Sequence, residues 1–192
     1  MGIRERLWGI PKKWFLFGIP LGAFIAFVIG MMATVSFDVG MQMTNTEEFC
    51  TSCHEMQIPY KEFKTTTHFS SPSGVQASCS DCHVPKEFIP KMIRKVEAAR
   101  EVYHTVLGTF DTPEKFNAHR REMAERVWTR MHDNDSQACR NCHNTQRWVL
   151  EDQSRTAQKK HGQARKDRRV AKGQEAETCI DCHKGEAHEL PD

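Results

Sequence analysis

The sequence predicts a mostly α-helical chain with extensive irregular segments: a single N-terminal transmembrane helix, then a compact exported domain built from two similar modules. Three observations carry that expectation. A run of 24 residues without a charge, Trp14 to Phe37, lies near the N-terminus. All eight cysteines fall into four Cys-x-x-Cys-His units. Apolar residues between those units recur at helical spacing, and no convincing alternating strand is found.

The apolar run comes first. As a helix rising 1.5 Å per residue it would cover about 36 Å, more than a hydrocarbon core of about 30 Å. Gly18, Pro20, Gly22 and Gly30 are costly in a soluble helix but tolerated in a membrane span, where small residues also let another helix pack closely. Arg4, Arg6, Lys12 and Lys13 against Glu5 alone precede the run, so the positive-inside bias holds the N-terminus in the cytoplasm and exports the remainder of the chain. The run is too long for a typical signal-peptide core and lacks a clear small-x-small cleavage site, which favours an uncleaved signal anchor. The expected division is 1–13 cytoplasmic, 14–37 transmembrane and 38–192 exported, the last comprising modules 38–107 and 108–192.

The exported part carries the four units: Cys50/Cys53/His54, Cys79/Cys82/His83, Cys139/Cys142/His143 and Cys179/Cys182/His183. In this pattern two thiols add to the vinyl groups of one porphyrin while the adjacent imidazole reaches the iron. Disulfides would not require a His after every second Cys, and a zinc ribbon uses two Cys pairs per metal without those histidines. Four covalently bound haem c groups are therefore expected, in the bacterial periplasm where such attachment occurs.

Mean hydropathy is −0.62 despite the apolar run, so the exported residues are poor material for an ordinary apolar core. Haem is expected to be the core, and the chain is not expected to fold without it. Setting aside Arg4, Arg6, Lys12, Lys13 and Glu5 leaves 23 Lys+Arg against 24 Asp+Glu, which gives no case for nucleic-acid binding.

The motifs fall into two pairs. In each pair the second unit reads Cys-x-Asp-Cys-His, with Asp81 and Asp181, and one further histidine, His68 or His161, lies between the two units. This has the look of a duplicated di-haem module. Between the pairs, Ile89, Met92/Ile93, Val96, Ala99, Tyr103 and Val106/Leu107 give Lys86–Leu107 a helical period ending before Gly108. Thr112-Pro113-Glu114 then reads as an N-cap, a proline in the first turn and an acid beside it, starting a helix that continues to about His132.

A six-coordinate electron-transfer iron needs a second axial ligand. Of the six histidines outside the motifs, His68, His161 and His188 have the best claim: two occupy equivalent places in the modules, and His188 follows His183 in a short tail. His104, His119 and His132 are expected to serve surface or packing roles. Met56, in Cys-His-Glu-Met, offers a thioether ligand to the first haem, whose motif begins about a dozen residues beyond the span; whether it or His54 serves that haem stays open. Arg155 to Lys172 carries eight cations against Asp167 and is read as a solvated face, or as a dock for an acidic redox partner or anionic lipid.

Together the span, the four motifs, Cys-His-x-Met and the terminal CIDCHKGEAHELPD resemble the NapC/NirT family of membrane-anchored tetrahaem quinol dehydrogenases over nearly the whole chain. MTNTEEFCTSCHEM, SGVQASCSDCHVP, DTPEKFNAHR and DNDSQACRNCHN are most similar to its NapC branch. The resemblance implies that Met56 ligates the first haem, leaving His54 out, and that His68, His161 and His188 are distal ligands. It implies that Glu101 accepts protons from membrane quinol (menaquinol or ubiquinol) and that Lys95 or Arg94 orients a quinol oxygen. It also implies electron delivery to a periplasmic terminal reductase, nitrate reductase foremost, or to its cytochrome subunit, from a single-pass protein in inner-membrane lipid. The alternatives are a pure electron-transfer subunit or an anchor for another reductase, such as nitrite reductase, without its own quinol oxidation. A homo-oligomer stays open.

Overall fold

The computed structural model describes residues 2–4, 15–16, 19–166 and 177–191, which divide into two compact units, Met1–Asn45 and Thr46–Asp192. Nearly all regular structure is helical. The one strand pairing among the described residues is a two-residue antiparallel bridge, β1 (Phe15–Leu16) with β2 (Ile19–Pro20).

In the first unit, helix α1 runs Leu21–Met43 and, among the described residues, is the helix long and apolar enough to cross a bilayer, with a mean hydropathy of 1.9 over its most apolar stretch. It begins later and ends later than the expected 14–37. Pro20 explains the start. Lacking an N–H and clashing with the carbonyl four residues back, it disfavours a helix running through it but can stand just before one, and it does so at φ −57° and ψ 131°. At the other end, loss of hydrophobicity after Phe37 does not break a helix. Gln42 Nε2 donates to Asp38 Oδ2 at 2.7 Å, and Thr44 closes the last turn through its N–H to the Gly40 carbonyl at 3.1 Å.

The second unit contains α2 (Glu47–Cys50), α3 (Gln57–Phe63), α4 (Cys79–His83), α5 (Phe88–Val106), α6 (Pro113–Asp133), α7 (Gln137–Arg140), α8 (Arg155–Lys166) and α9 (Cys179–Cys182), joined by irregular chain and short 3₁₀ turns. Helix α6 starts as its sequence requires: the Thr112 hydroxyl accepts from the Lys115 N–H at 3.3 Å, and Pro113 stands in the first turn. Among the described residues the buried apolar side chains are Phe63, Phe116 and Ile180. So small a polypeptide core is what the poor apolar content led us to expect.

The two expected modules interlock within this one unit. Arg120 of α6 donates to both carboxylate oxygens of Glu62 on α3, at 2.7 and 2.6 Å, and α9 packs against α6 while α4 packs against α7. Residue 107 is thus no boundary between compact bodies.

Candidate haem-binding site

Each attachment unit takes in part or all of a short helix, and all eight thiols are unbridged. The shared motif does not impose one thiol geometry, however. In the second and fourth units both cysteines lie in helix, Cys79 and Cys82 in α4 and Cys179 and Cys182 in α9. In the first and third, α2 ends at Cys50 and α7 at Arg140, so Cys53 and Cys142 stand outside helix. Cys53 takes extended backbone, φ −84° and ψ 135°, and its carbonyl accepts from the Met56 N–H at 3.1 Å. Cys142 is exposed and donates its N–H to the Cys139 carbonyl at 3.2 Å; Cys82 is raised by burial first, then by the negative charge of Asp81 and of the Cys142 thiolate.

The sequence explains the two fully helical units closely. Asp81 and Asp181, the shared acid of Cys-x-Asp-Cys-His, sit at the third helical position and accept from the backbone N–H of Ser78 and Thr178, at 3.0 and 2.7 Å. This is half of a capping box, and it fixes the turn that presents the two cysteines. The Ser78 hydroxyl and N–H, donating to Asp81, hold its carboxyl below the ordinary range. The first and third units lack that acid, having Ser52 and Asn141 in its place.

The motifs are neighbours in chain order. The Cys50 and Cys79 thiols share a hydrogen bond, as do Cys139 and Cys179, and α4 and α7 bring the second unit against the third. Within each thiol pair the shared bond draws one partner down, Cys50 to about 7 and Cys179 to about 6, and drives the other up. A hydroxyl network fastens the last two units. Ser136, fully buried, accepts from the Ile180 N–H at 3.1 Å and meets the Thr178 hydroxyl at 3.0 Å, while Arg140 holds Asp135 at 2.8 Å. Asp135 and Ser136 both take left-handed backbone, φ 56° and 49°, kept there by these bonds.

The histidines carry the most specific geometry. His143 faces His68 with ring centres 6.1 Å apart, His83 faces His188 at 6.1 Å, and His183 faces His161 at 6.0 Å. A ring nitrogen bonds a first-row metal at about 2 Å and lies about 1 Å from its own ring centre, so two imidazoles on opposite faces of one iron stand roughly 6 Å apart. Three motif histidines and the three singled-out extra histidines thus pair one to one at haem-iron spacing. Two of the pairs, His68 with His143 and His188 with His83, cross between the halves; only His161 with His183 stays within one.

What orients these rings was not evident in the sequence. His161, on α8, has Nδ1 on Gln153 Oε1 at 2.6 Å and its ring against Trp148 at 4.7 Å. His188 donates from Nδ1 to the Pro59 carbonyl at 3.2 Å, and its neighbour Glu189 is clamped through its N–H to Glu62 at 3.1 Å and its carbonyl to Arg120 at 2.7 Å. Such bonds at Nδ1 leave Nε2 for a metal. His68 follows α3, its carbonyl accepting from the Ala77 N–H at 2.8 Å. Burial, with neighbouring positive groups, brings His83 down to about 4, and burial also lowers His188 and His161. All three are then neutral at neutral pH, the form that binds metal. Beside Cys82 and His83 a cavity of about 250 Å³ opens against Val127, Arg130 and Met131.

The first unit differs. His54 Nε2 lies 2.9 Å from the Asp111 carbonyl and Nδ1 lies 3.1 Å from Glu55 Oε2, and among the described residues no second histidine faces it. Met56 ends the 3₁₀ turn that begins at His54 and is 39 % exposed. The remaining histidines serve packing or surface contacts, as expected: His104 meets Tyr103 and Phe110, His119 meets Phe110, and His132 bonds Asp181 at 3.0 Å.

The charged groups read as a quinol site lie on α5. Arg94, 13 % exposed, reaches Glu101 at 3.0 Å, while Glu101 is 63 % exposed. Arg94 Nε and Nη1 are enclosed with no hydrogen-bond partner among the described residues. Lys95 is lowered by burial, and both cations act on the Cys50 thiol, so they flank the first unit. Of the basic segment, Arg155 and Lys159 are exposed and Lys160 bridges to Glu177 at 2.6 Å; residues 167–176, Arg168, Arg169 and Lys172 among them, and the side chains of 164–166 lie outside the described residues.

The family model for the NapC/NirT cytochrome c family, N-terminal region, matches residues 13–192. The chain is 48 % identical to cytochrome c-type protein NapC of Escherichia coli (strain K12) over all of this chain and 92 % of that protein. It is 49 % identical to a putative tetraheme cytochrome-c type protein of Allochromatium vinosum, over 87 % of this chain and 86 % of that one. With the denitrification system component NirT of Stutzerimonas stutzeri the identity is 44 %, over 88 % and 80 %. No solved structure matches. The chain belongs to the NapC/NirT cytochrome c family, an electron-transport c-type cytochrome with an apolar helix suited to membrane anchoring.

Proposed function

We propose that this protein oxidises quinol in the bacterial inner membrane and passes the electrons through four haem c groups to a periplasmic reductase, with nitrate reductase as the acceptor. The contrast between three facing histidine pairs and one motif histidine turned onto a backbone carbonyl carries this reading. It supports three bis-histidine sites, His83 with His188, His143 with His68 and His183 with His161, and a first site where Met56 takes the place of His54. When bound, haem iron supplies one-electron redox chemistry.

The chain's own residues divide the rest of the work. Each cysteine pair would hold its group covalently, and the adjacency of the units in chain order sets a path from Cys50 towards Cys182. Quinol releases two protons with its two electrons, so the site needs a base. Glu101 takes that role, exposed enough to hand protons to water. Arg94, with two enclosed donors to spare, and Lys95 orient the quinol oxygen beside the first unit. Basic residues before α1 support an inside N-terminus and a periplasmic haem domain. The nitrate assignment rests on likeness to the NapC proteins.

One observation favours a second reading. An Arg94–Glu101 pair seven residues apart is also what a solvated helix face makes, and a pure electron-transfer or anchor subunit would need nothing more. The purified protein separates the two: a quinol analogue reduces it under the first reading and not under the second. Glu101→Gln should cut quinol oxidation about a hundredfold with haem content unchanged, the size of a lost general base. Unaltered turnover would remove Glu101 from the site.

A further inference from the structure

Helix α5 is built inside out. Its half-buried residues include Lys91, Arg94, Lys95 and Ala98, and this largely charged face is turned to the first two attachment units, where Arg94 acts on both Cys50 and His83. On the opposite side Ile89, Ile93, Val96 and Tyr103, with Leu107 at the cap, are 64, 56, 74, 61 and 59 % exposed. Steps of three, four and seven residues at about 100° each put them on one stripe. Helix α6 shows the ordinary arrangement: Phe116 is buried, and Arg121–Glu125 and Arg126–Glu122 pair on the exposed side.

An apolar stripe of this length marks a contact surface, although Phe88, Val102 and Val106 of the same helix are exposed off the stripe. It lies opposite the side that faces the first two motifs. We propose that it rests in the outer leaflet of the membrane that α1 enters, with α5 lying along the lipid surface. The chain itself favours lipid as the occupant. Only Thr44, Asn45 and Thr46 separate α1 from α2, a tether of roughly 15 Å when extended, so this unit cannot leave the membrane surface. Exposed Arg100 and Tyr103 lie within the stripe, and both residue types settle at the headgroup boundary with their apolar parts below it. This goes beyond the proposed quinol chemistry and does not need it, since an anchored subunit that never meets quinol would rest on lipid the same way.

The test uses the full-length, haem-loaded protein in phosphatidylcholine–phosphatidylglycerol nanodiscs containing a phospholipid with a photoreactive diazirine in its acyl chain. After illumination, labelled peptides are mapped by mass spectrometry, with α1 as internal standard. Labelling of α5 should exceed that of exposed α6 peptides about tenfold, and the double variant Ile93→Glu, Val96→Glu should abolish the excess while α1 labelling and haem content stay the same. Labelling confined to α1, or equal on α5 and α6, overturns the proposal whatever the variant does. So does a detergent-solubilised dimer that the double variant dissociates, which would make the stripe a contact between two copies, or loss of haem from the variant, which would place the stripe against a macrocycle.

Discussion

The first attachment unit and the other three share the Cys-x-x-Cys-His pattern and differ in what surrounds the histidine. His83, His143 and His183 each look across about 6 Å to another imidazole, while His54 Nε2 bonds the Asp111 carbonyl and its Nδ1 stands 3.1 Å from Glu55. A motif that specifies attachment therefore does not specify ligation. On the proposed assignment the second ligand would come from elsewhere: from the loop after α3 for His68, from α8 for His161, from the C-terminal tail for His188. That division would suit the proposed function, in which three similar sites relay electrons and one dissimilar site receives them.

The comparison is broken most sharply at His188. Its ring is set by the Pro59 carbonyl and by the Glu62–Arg120 pair that clamps Glu189, in which Arg120 and Glu62 are 16 and 12 % exposed. His188→Ala should convert one of the three bis-histidine sites to a high-spin form, read by electron paramagnetic resonance on protein with full haem content. Arg120→Gln should reproduce this in part and also destabilise the fold by about 2 kcal/mol, because it leaves the largely enclosed Glu62 carboxylate without its cation and with the Glu189 N–H as its remaining hydrogen-bond donor. A spectrum unchanged in His188→Ala would deny the ligand assignment. One unchanged only in Arg120→Gln would deny the clamp.

A smaller change should follow from making the first unit resemble the others. Thioether ligation raises a haem potential relative to bis-histidine, so Met56→His should lower the potential of one haem, on the order of 100 mV, and slow its reduction by a quinol analogue. His54→Ala should leave that potential within experimental error. If His54→Ala shifts the potential and Met56→His does not, His54 is the ligand and the asymmetry between the units disappears.

The parts of this arrangement that were legible in the sequence are those fixed by local chemistry. Cysteine spacing named the attachment sites, though not that Cys53 and Cys142 would stand outside helix while Cys82 and Cys182 lie within one. Thr112-Pro113-Glu114 named the start of α6, and the apolar run named α1, misjudging its ends because Pro20 sets one and no breaker follows Phe37. His68, His161 and His188 were selected by place, but their partners were not readable: two of the pairs cross between halves, and contacts over such sequence distances leave no periodic trace. The same holds for Glu62 and Arg120, 58 residues apart, which look like any surface Glu and Arg until folded. Helix α5 was recognised by its period, yet the period is silent on whether an apolar face points to a core or away from one. Asp81 and Asp181 show the reverse case, a repeat seen in the sequence whose cause, closing the first turn of a motif helix, needed the structure.

The mildest test concerns how His54 is kept aside. The Asp111 carbonyl that meets it belongs to the residue before the N-cap of α6, and Lys115, one turn on, returns to Asp111 Oδ1 at 2.6 Å and to the Gly108 carbonyl at 3.2 Å. Gly108 itself takes φ 66°, which lets the chain turn there between α5 and α6. Thr112→Ala removes the hydroxyl that accepts from the Lys115 N–H and should cost about 1 kcal/mol, a lowering of the melting temperature by roughly 3 °C for a unit of this size. If the cap also fixes Asp111, exchange of the His54 ring protons with water, followed by nuclear magnetic resonance, should quicken in the variant while the bis-histidine signals stay unchanged. Equal exchange in both proteins would mean that the start of α6 does not fix His54.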